Sequence, residues 1–225
     1  MIDIIPAILS PTRDDFHRRF KAVEPYTEWL QIDIVDGKFA PVKTIDHEVI
    51  NRFRTAKKLE IQLMVEFIED WIDPFVKSKP ARIIVPVESA RNPINLIRHV
   101  RRHQIQIGFS LNPLTDVSRM QHIIDKVDSV LLLAVMPGFQ GQKFNEKIYK
   151  KIQDLREMRP DIYIEVDGGV RPGIARTCVE YGANALCVGS YILKNNEIEG
   201  ETYQEKIKRA LDLLKEDVEG VSSSK

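Results

Sequence analysis

Cysteine is scarce in this sequence, and long apolar runs are missing. Its two cysteines, Cys178 and Cys187, have no metal-type partners nearby in sequence, and two in 225 residues do not make a disulfide framework. We expect both to pack as small buried hydrophobic side chains. The longest apolar run, VLLLAVM at 130–136, is far too short to cross a bilayer. The N-terminus lacks a basic segment with a cleavage pattern, so a cytoplasmic protein is expected.

An excess of charge of either sign is also missing. Lys plus Arg and Asp plus Glu are both 33, so the formal net charge is zero. The chain therefore has no long-range field to recruit nucleic acid or an anionic membrane. We expect its partner to be a small molecule, with no nucleic acid and no membrane involved.

Short β-rich segments alternate with amphipathic segments from end to end. The predicted strands lie at 4–9, 29–35, 59–65, 82–88, 105–111, 129–135, 162–166 and 185–189. The predicted helices lie at 14–26, 46–56, 68–77, 92–103, 115–126, 146–157, 171–181 and 201–216. Eight β/α units without an internal linker favour a closed (β/α)8 TIM barrel of the α/β class over an open sheet. We expect one domain over residues 1–219 and a disordered tail at 220–225.

Three glycine-containing loops follow the last three predicted strands. They are PGFQGQKF at 137–144, DGG at 167–169 and VGS at 188–190. Glycine lets backbone N–H groups approach an anion closely, and barrels commonly bind phosphate at this end. Each glycine alone could merely permit a tight turn. Together the loops favour phosphate, and because no Walker-type or GxGxxG motif occurs, a small phosphorylated metabolite is favoured over a nucleotide.

Carboxylates stand at the ends of two predicted strands. Residues two apart share a face of a strand, so Gln31 and Asp33 should point into the barrel together, and Gln62 likewise. A buried carboxylate needs a partner, which favours a functional role for Asp33. Asp167 could be either a turn residue or a functional acid, and Asp36 is interpreted as a turn residue. Two carboxylates on opposite sides of a bound carbonyl compound could remove a proton from one face and return it to the other.

The motifs LQIDIVDGKFAPV (30–42), QLMVEFIEDW (62–71), AVMPGFQGQKF (134–144) and IEVDGGVRPG (164–173) resemble those of the ribulose-phosphate 3-epimerase family, in its order and spacing. The resemblance runs from residue 6 to about 198. It implies a ribulose-phosphate-binding barrel that epimerises a pentulose phosphate at C3, with Asp33 and Asp167 as the acid/base pair, in a homo-oligomer. Through the resemblance and the shared strand faces, we expect the substrate to contact Gln31, Gln62, Met64, Gly138, Phe139, Gln140, Gly141, Gly168, Gly169, Gly189 and Ser190.

The departures from the family pattern fall on the chemistry. The family normally holds a divalent metal with two aspartates and two histidines, whereas Gln31 and Gln62 occupy the histidine positions here. Ala7 replaces a serine, Pro86 a histidine and Leu133 a methionine. These departures leave the sugar's identity open.

Two hypotheses replace the family's metal. In the first, no metal is bound, and the amide N–H groups of Gln31 and Gln62 stabilise the enediolate oxygen. In the second, the glutamine carbonyl oxygens join Asp33 and Asp167 in an all-oxygen site that would prefer Mg²⁺ or Mn²⁺ over Zn²⁺.

Two other functions stay open at this point. The barrel could bind a phosphosugar without turning it over, as a sensor or regulatory subunit derived from the family. It could also be an aldolase or decarboxylase, since barrels of this kind host many reactions. No lysine at a recognisable strand end supports a Schiff base.

Overall fold

A closed barrel of eight parallel strands forms the centre of the protein. The structure, a computed structural model, describes residues 2–137, 142–194 and 196–221. The strands are β1 (Asp3–Ile8), β2 (Trp29–Val35), β3 (Lys58–Met64), β4 (Arg82–Pro86), β5 (Gln106–Leu111), β6 (Ser129–Leu133), β7 (Tyr163–Asp167) and β8 (Ala185–Val188). Each pairs with the next in chain order, and β8 pairs with β1. The predicted TIM-barrel fold is confirmed.

Helices cover the outside of the barrel. They are α1 (Arg13–Val23), α2 (His47–Arg52), α3 (Glu69–Val76), α4 (Pro93–Arg101), α5 (Lys147–Met158), α6 (Ile174–Glu180), α7 (Ser190–Leu193) and α8 (Tyr203–Val218). Side-chain caps fix several starts: Thr12 accepts from the Asp15 N–H, and Thr202 forms a reciprocal capping box with Glu205. No helix in the described part of the chain is both long and apolar enough to span a membrane.

One helix prediction was wrong. Residues 115–126 form two short 3₁₀ helices, Val117–Met120 and Ile124–Lys126, in place of an α-helix. The apolar side chains of Met120, Ile123 and Ile124 are still buried. The hydrophobic spacing therefore reflected packing against the sheet, which two tight turns satisfy as well as one helix does.

The hydrophobic side chains form separate cores outside and inside the sheet. The outer core fills the space between strands and helices and includes the fully buried Phe16, Phe20, Phe75 and Phe109. The inner core is small, and its buried members are Ile5, Ala7, Ile84, Leu131, Leu133, Ala185 and Cys187. Both Cys178 and Cys187 are free and buried, as predicted. Because apolar groups fill only part of the barrel interior, polar side chains occupy the rest.

Candidate active site

Four polar side chains meet inside the barrel near the C-terminal ends of three strands. Gln31 and Asp33 come from β2, Gln62 from β3 and Asp167 from β7. The Gln31 amide nitrogen donates to Asp33 Oδ1 at 2.9 Å and Asp167 Oδ2 at 3.1 Å. It also donates to Gln62 Oε1 at 2.8 Å. We call these four residues the amide–carboxylate cluster. The structure thus places both acids, inward-facing, on one shared donor.

The amide of Gln62 has two orientations in this cluster. With its nitrogen turned inward, it donates to Asp33 Oδ1 at 3.0 Å and Asp167 Oδ2 at 3.2 Å. With its oxygen turned inward, the Gln62 amide accepts a hydrogen bond from Gln31. The same oxygen then also faces the two carboxylates, and no hydrogen lies between these oxygen atoms. A proton on Asp167 would satisfy that second orientation, because a protonated carboxyl group can donate. The hydrogen bonding of Gln62 is therefore linked to the protonation of the acids.

Both acids hold their protons more tightly than a carboxyl group in water does. Burial raises the pKa of Asp33 to about 6, against the opposing effect of its hydrogen bond from Gln31. Asp167 is partly exposed to the cavity, although the barrel surrounds it. Its pKa is raised to about 8, mainly by burial and secondly by the charge of Asp33. Two nearby carboxyl groups titrate as a pair. Between these pH values the pair holds one proton.

A cavity of about 70 Å³ opens above the cluster. Residues around it include Asp33, Met64, Asp167, Gly168, Gly169, Gly189 and Ser190. A neighbouring cavity of about 720 Å³ shares Gln142, Gly169, Val170 and Ser190 with it and extends to the surface. Gln31 and Gln62 are fully buried below the cavity floor. The other residues expected to contact substrate, Gly138, Phe139, Gln140 and Gly141, lie outside the described residues.

The DGG loop has a backbone that requires glycine. Gly168 and Gly169 have φ angles of +104° and +69°, in the left-handed region that side chains disfavour. A Cβ atom on Gly168 would lie 2.6 Å from Val135 Cγ2, and one on Gly169 would lie 3.1 Å from the Phe144 backbone nitrogen. The loop therefore needs glycine for its turn, and the same backbone lines the cavity next to Asp167.

Asp36 has a structural role. Its carboxylate accepts the backbone N–H groups of Lys38, Phe39 and Glu66 at 2.8–2.9 Å. It thereby fixes the loop after β2 and joins it to the end of β3, in keeping with its interpretation as a turn residue.

A second polar layer, which the sequence reasoning missed, lies below the cluster. Arg82 Nε lies 2.9 Å from Glu60 Oε2, and Arg82 Nη1 donates to Glu165 Oε1 at 2.7 Å. All three side chains are buried, and the guanidinium lies 4.6 and 4.8 Å from the ring centroids of Trp29 and Tyr163. We call Glu60, Arg82 and Glu165 the arginine–glutamate layer. Its sequence signal was the spacing: Glu60 and Glu165 precede Gln62 and Asp167 by two residues, so they share their strand faces.

One arginine faces two carboxylates in this layer. Burial, followed by the charge of Glu165, raises the pKa of Glu60 well above its usual range. Burial thus favours the protonated form of Glu60, and the Arg82 guanidinium supplies the positive charge of the layer. A buried arrangement of this kind is tolerable because its charges cancel.

The metal that the family resemblance implies does not fit the amide–carboxylate cluster as it is arranged. The atom between the two carboxylates is the amide nitrogen of Gln31, which lies within hydrogen-bonding distance of both acids and offers no lone pair to a cation. The described residues contain two other groups of metal-type side chains, Glu60/Glu165/Cys187 and Asp73/His99/His103. The first surrounds the Arg82 guanidinium, which already supplies its positive charge.

The fold is shared with several barrel enzymes of low sequence identity. A tryptophan synthase α-subunit from Pyrococcus furiosus matches with a TM-score of 0.70 at 16% identity, over 95% of this chain and 99% of that one. A 3-hexulose-6-phosphate synthase matches with a TM-score of 0.69 at 15% identity, over 93% of this chain and 99% of the other. At this identity the likeness concerns the fold alone.

Sequence comparison is more specific. The family model described as the ribulose-phosphate 3-epimerase family matches residues 3–193. A chloroplastic ribulose-5-phosphate-3-epimerase from Arabidopsis thaliana is 37% identical over 201 residues, which are 85% of this chain and 71% of the relative. A ribulose-phosphate 3-epimerase from Bacillus subtilis (strain 168) is 34% identical over 200 residues, which are 85% and 92% of the two chains. Together with the barrel, these matches place the chain in the ribulose-phosphate 3-epimerase family of isomerases.

Proposed function

We propose that this protein interconverts ribulose 5-phosphate and xylulose 5-phosphate, or a close analogue, at C3. The observation that carries the proposal is the pair of inward-facing acids, Asp33 and Asp167, which share one amide donor beside a cavity. Their raised pKa values keep one carboxyl ionised and the other protonated near neutral pH. That is the state a two-acid epimerase needs, because one group must accept a proton while the other can donate one.

The proposed reaction moves one proton off C3 and another onto it. Ionised Asp33 takes the C3 proton, and the electron pair of the broken C–H bond forms the enediolate with the neighbouring carbonyl group. Protonated Asp167 then delivers its proton to the opposite face of C3, and the carbonyl reforms. The acids exchange protonation states in the process, so the reverse reaction uses the same pair with the roles exchanged, and exchange with solvent restores the starting state.

The glutamines supply neutral hydrogen-bond donors at this centre. The amide nitrogen of Gln31 already contacts both acids, and that of Gln62 does so in its inward orientation. When Asp33 becomes protonated it accepts hydrogen bonds less well, which releases amide N–H groups for the enediolate oxygen. Apo hydrogen bonds at active sites commonly rearrange in this way when substrate binds. Removing one oxyanion donor typically costs about 2.7–4 kcal/mol of transition-state stabilisation.

The phosphate of the substrate is proposed to bind at the glycine loops. Gly168 and Gly169 follow Asp167 directly and line the cavity together with Gly189 and Ser190. Their backbones can approach an oxyanion closely because they carry no side chain, or a small one. A phosphate held there would place the sugar carbons toward the acids.

Proton exchange at C3 is the direct test. Ribulose 5-phosphate in D₂O would be followed by NMR with wild type, with Asp33→Asn and with Asp70→Asn, an exposed acid on α3 that serves as the control. We expect wild type and Asp70→Asn to exchange the C3 proton and form xylulose 5-phosphate, and Asp33→Asn to do neither. Absence of both exchange and epimerisation in wild type, even at high protein concentration, would overturn the proposal and favour the sensor or regulatory barrel.

We also infer a single domain over residues 1–219 and a cytoplasmic location from the sequence features described above, and a homo-oligomer from the family resemblance. Light scattering at several protein concentrations tests the oligomeric state. A constant monomer mass would contradict this inference without affecting the proposed reaction.

A further inference from the structure

A group of metal-type side chains lies on the outer helical layer, away from the barrel interior. Asp73 belongs to α3, His99 to the last turn of α4, and His103 follows one turn later. Their ligand-type atoms all lie within 4.8 Å of one another. From this geometry we infer a second binding site, specific for a divalent transition metal such as Zn²⁺, formed by Asp73, His99 and His103.

The backbone after α4 presents the two histidines on the same side. The N–H of Arg102 bonds to the carbonyl of Arg98 at 3.3 Å, and the N–H of His103 bonds to that of Val100 at 3.0 Å. These bonds carry the helical turn past the end of α4, so His99 and His103 keep the i, i+4 relation in which residues are neighbours. Their ring centroids are 5.5 Å apart. Two histidines at this spacing form a recurrent zinc-binding pair.

The third ligand comes from the neighbouring helix. Asp73 Oδ1 lies 2.6 Å from His99 Nε2. Two imidazoles and one carboxylate form a donor set that zinc uses with water in the fourth position, and imidazole also suits Cu²⁺ and Ni²⁺. Zinc with ligands at 2.0–2.2 Å requires donor atoms roughly 3.4 Å apart. His103 and Asp73 are exposed and His99 is half-buried, so their side chains have room to change rotamer when a metal binds.

The surrounding charges are balanced. A cavity of about 560 Å³ at this surface is lined by Glu69, Asp73, His99, Arg98 and Arg102, together with uncharged residues. The two acids attract a cation and the two arginines oppose it. We therefore expect binding in the micromolar range and no retention through extensive dialysis.

A simple hydrogen bond between His99 and Asp73 is the competing explanation of these contacts, and His103 distinguishes the two. The hydrogen bond needs only His99 and Asp73, whereas a metal site needs the third donor. Replacement of His103 should abolish metal binding while it leaves the contact between His99 and Asp73 intact.

Calorimetric titration of untagged, EDTA-treated protein with ZnCl₂ tests the inference. To separate it from the proposed function, the titration uses wild type and the double variant Asp33→Asn/Asp167→Asn, which has no acid pair in the barrel. We expect one Zn²⁺ per chain with micromolar Kd in the double variant. His103→Ala or Asp73→Asn added to that background should weaken binding at least tenfold, whereas His122→Ala, an exposed histidine outside the group, should not change Kd.

Thermal unfolding gives a second readout. A ligand that binds only the folded state raises Tm, and at 100-fold excess over Kd the rise should be roughly 5 °C or more. The rise should be absent in His103→Ala. Two results would overturn the inference. One is a Kd in the double variant more than about 100-fold above the expected micromolar value. The other is an unchanged Kd when His103→Ala is added to the double variant. Either result leaves the reaction at Asp33 and Asp167 untouched.

Discussion

The amide–carboxylate cluster and the arginine–glutamate layer lie two residues apart along β3 and β7, and each contains two carboxyl groups. In the lower layer a guanidinium lies between Glu60 and Glu165, and the space is filled. In the upper cluster a neutral amide lies between Asp33 and Asp167, and a cavity opens above them. In both layers the pKa of one acid is raised, but only the lower layer contains a cation that balances the remaining negative charge. The proposed reaction uses the pair that has no cation and lies beside a cavity.

The largest expected effect is on catalysis in the upper cluster. Asp167→Asn should lower kcat/KM for C3 epimerisation by about 10²–10⁴-fold, the usual contribution of a positioned acid or base. A coupled xylulose 5-phosphate assay measures it. A loss smaller than tenfold would contradict the assigned role.

The same variant should be more stable than wild type at alkaline pH. Because the pKa of Asp167 is raised on folding to about 8, the folded state binds this proton more tightly than the unfolded state does. Stability is therefore lost as pH rises from the unfolded pKa near 4 to the folded pKa. Asparagine removes that loss, so Tm at pH 8.5 should rise. A lower Tm would contradict the raised pKa of Asp167.

Breaking the lower layer should affect stability most. Arg82→Met leaves buried carboxylates without their cation, which should reduce the free energy of unfolding by about 3–5 kcal/mol. Urea denaturation measures this, with the exposed Arg119→Met as the control. Glu60→Gln should cost less than Arg82→Met does, because burial raises the pKa of Glu60 and favours its neutral form, which glutamine resembles. Equal losses in Arg82→Met and Glu60→Gln would refute this charge assignment.

The amide donors come next in size. Gln62→Leu, which keeps the side-chain volume, should lower kcat by about 10²–10³-fold. If the amide bonds the enediolate, the maximal rate at the pH optimum falls, whether or not the pH limits shift. Shifted limits with a normal maximal rate would instead show that Gln62 only holds the acids in place. Gln106→Leu, at the exposed start of β5, controls for the loss of an amide elsewhere.

The pH profile tests the proton shared by the two acids. Because Asp33 must be ionised and Asp167 protonated, kcat/KM should rise up to pH 6 and fall above pH 8. Each limb should change by about tenfold per pH unit. A profile that is flat between pH 5 and 9 would rule out the acid/base pair.

Metal removal should have the smallest effect. EDTA should change kcat by less than about twofold, because neutral amides replace a Lewis acid at the cluster. The assay is best done in the His103→Ala variant, which lacks the proposed surface zinc site. Loss of activity that Mn²⁺ or Mg²⁺ restores would favour the all-oxygen metal site.

The fold could be predicted because eight alternating β/α units without an internal linker favour a closed TIM barrel over an open sheet. All eight strands begin within one residue of the predicted positions. Several of them end one or two residues before the predicted end. The helix predicted at 115–126 failed because its apolar spacing also suits two 3₁₀ turns. The hydrophobic period predicts which side chains are buried, but it predicts the backbone conformation only indirectly.

Only part of the site could be predicted from the sequence. The inward direction of Gln31, Asp33 and Gln62 followed from the period of two along a strand. The pairing of Arg82 with both Glu60 and Glu165 did not, because it joins β3, β4 and β7 across the barrel. A contact between side chains 83 residues apart depends on barrel closure, which no local pattern encodes.

The aromatic rings that pack on the lower layer provide native optical probes. The two tryptophans of the chain lie in different regions: Trp29 contacts the Arg82 guanidinium, and Trp71 lies on α3, two residues before Asp73. In Trp71→Phe, the emission of Trp29 would report on the barrel interior. In Trp29→Phe, the emission of Trp71 would report on the helical surface. Fluorescence of these two single-tryptophan proteins could thus separate events at the two regions without any attached label.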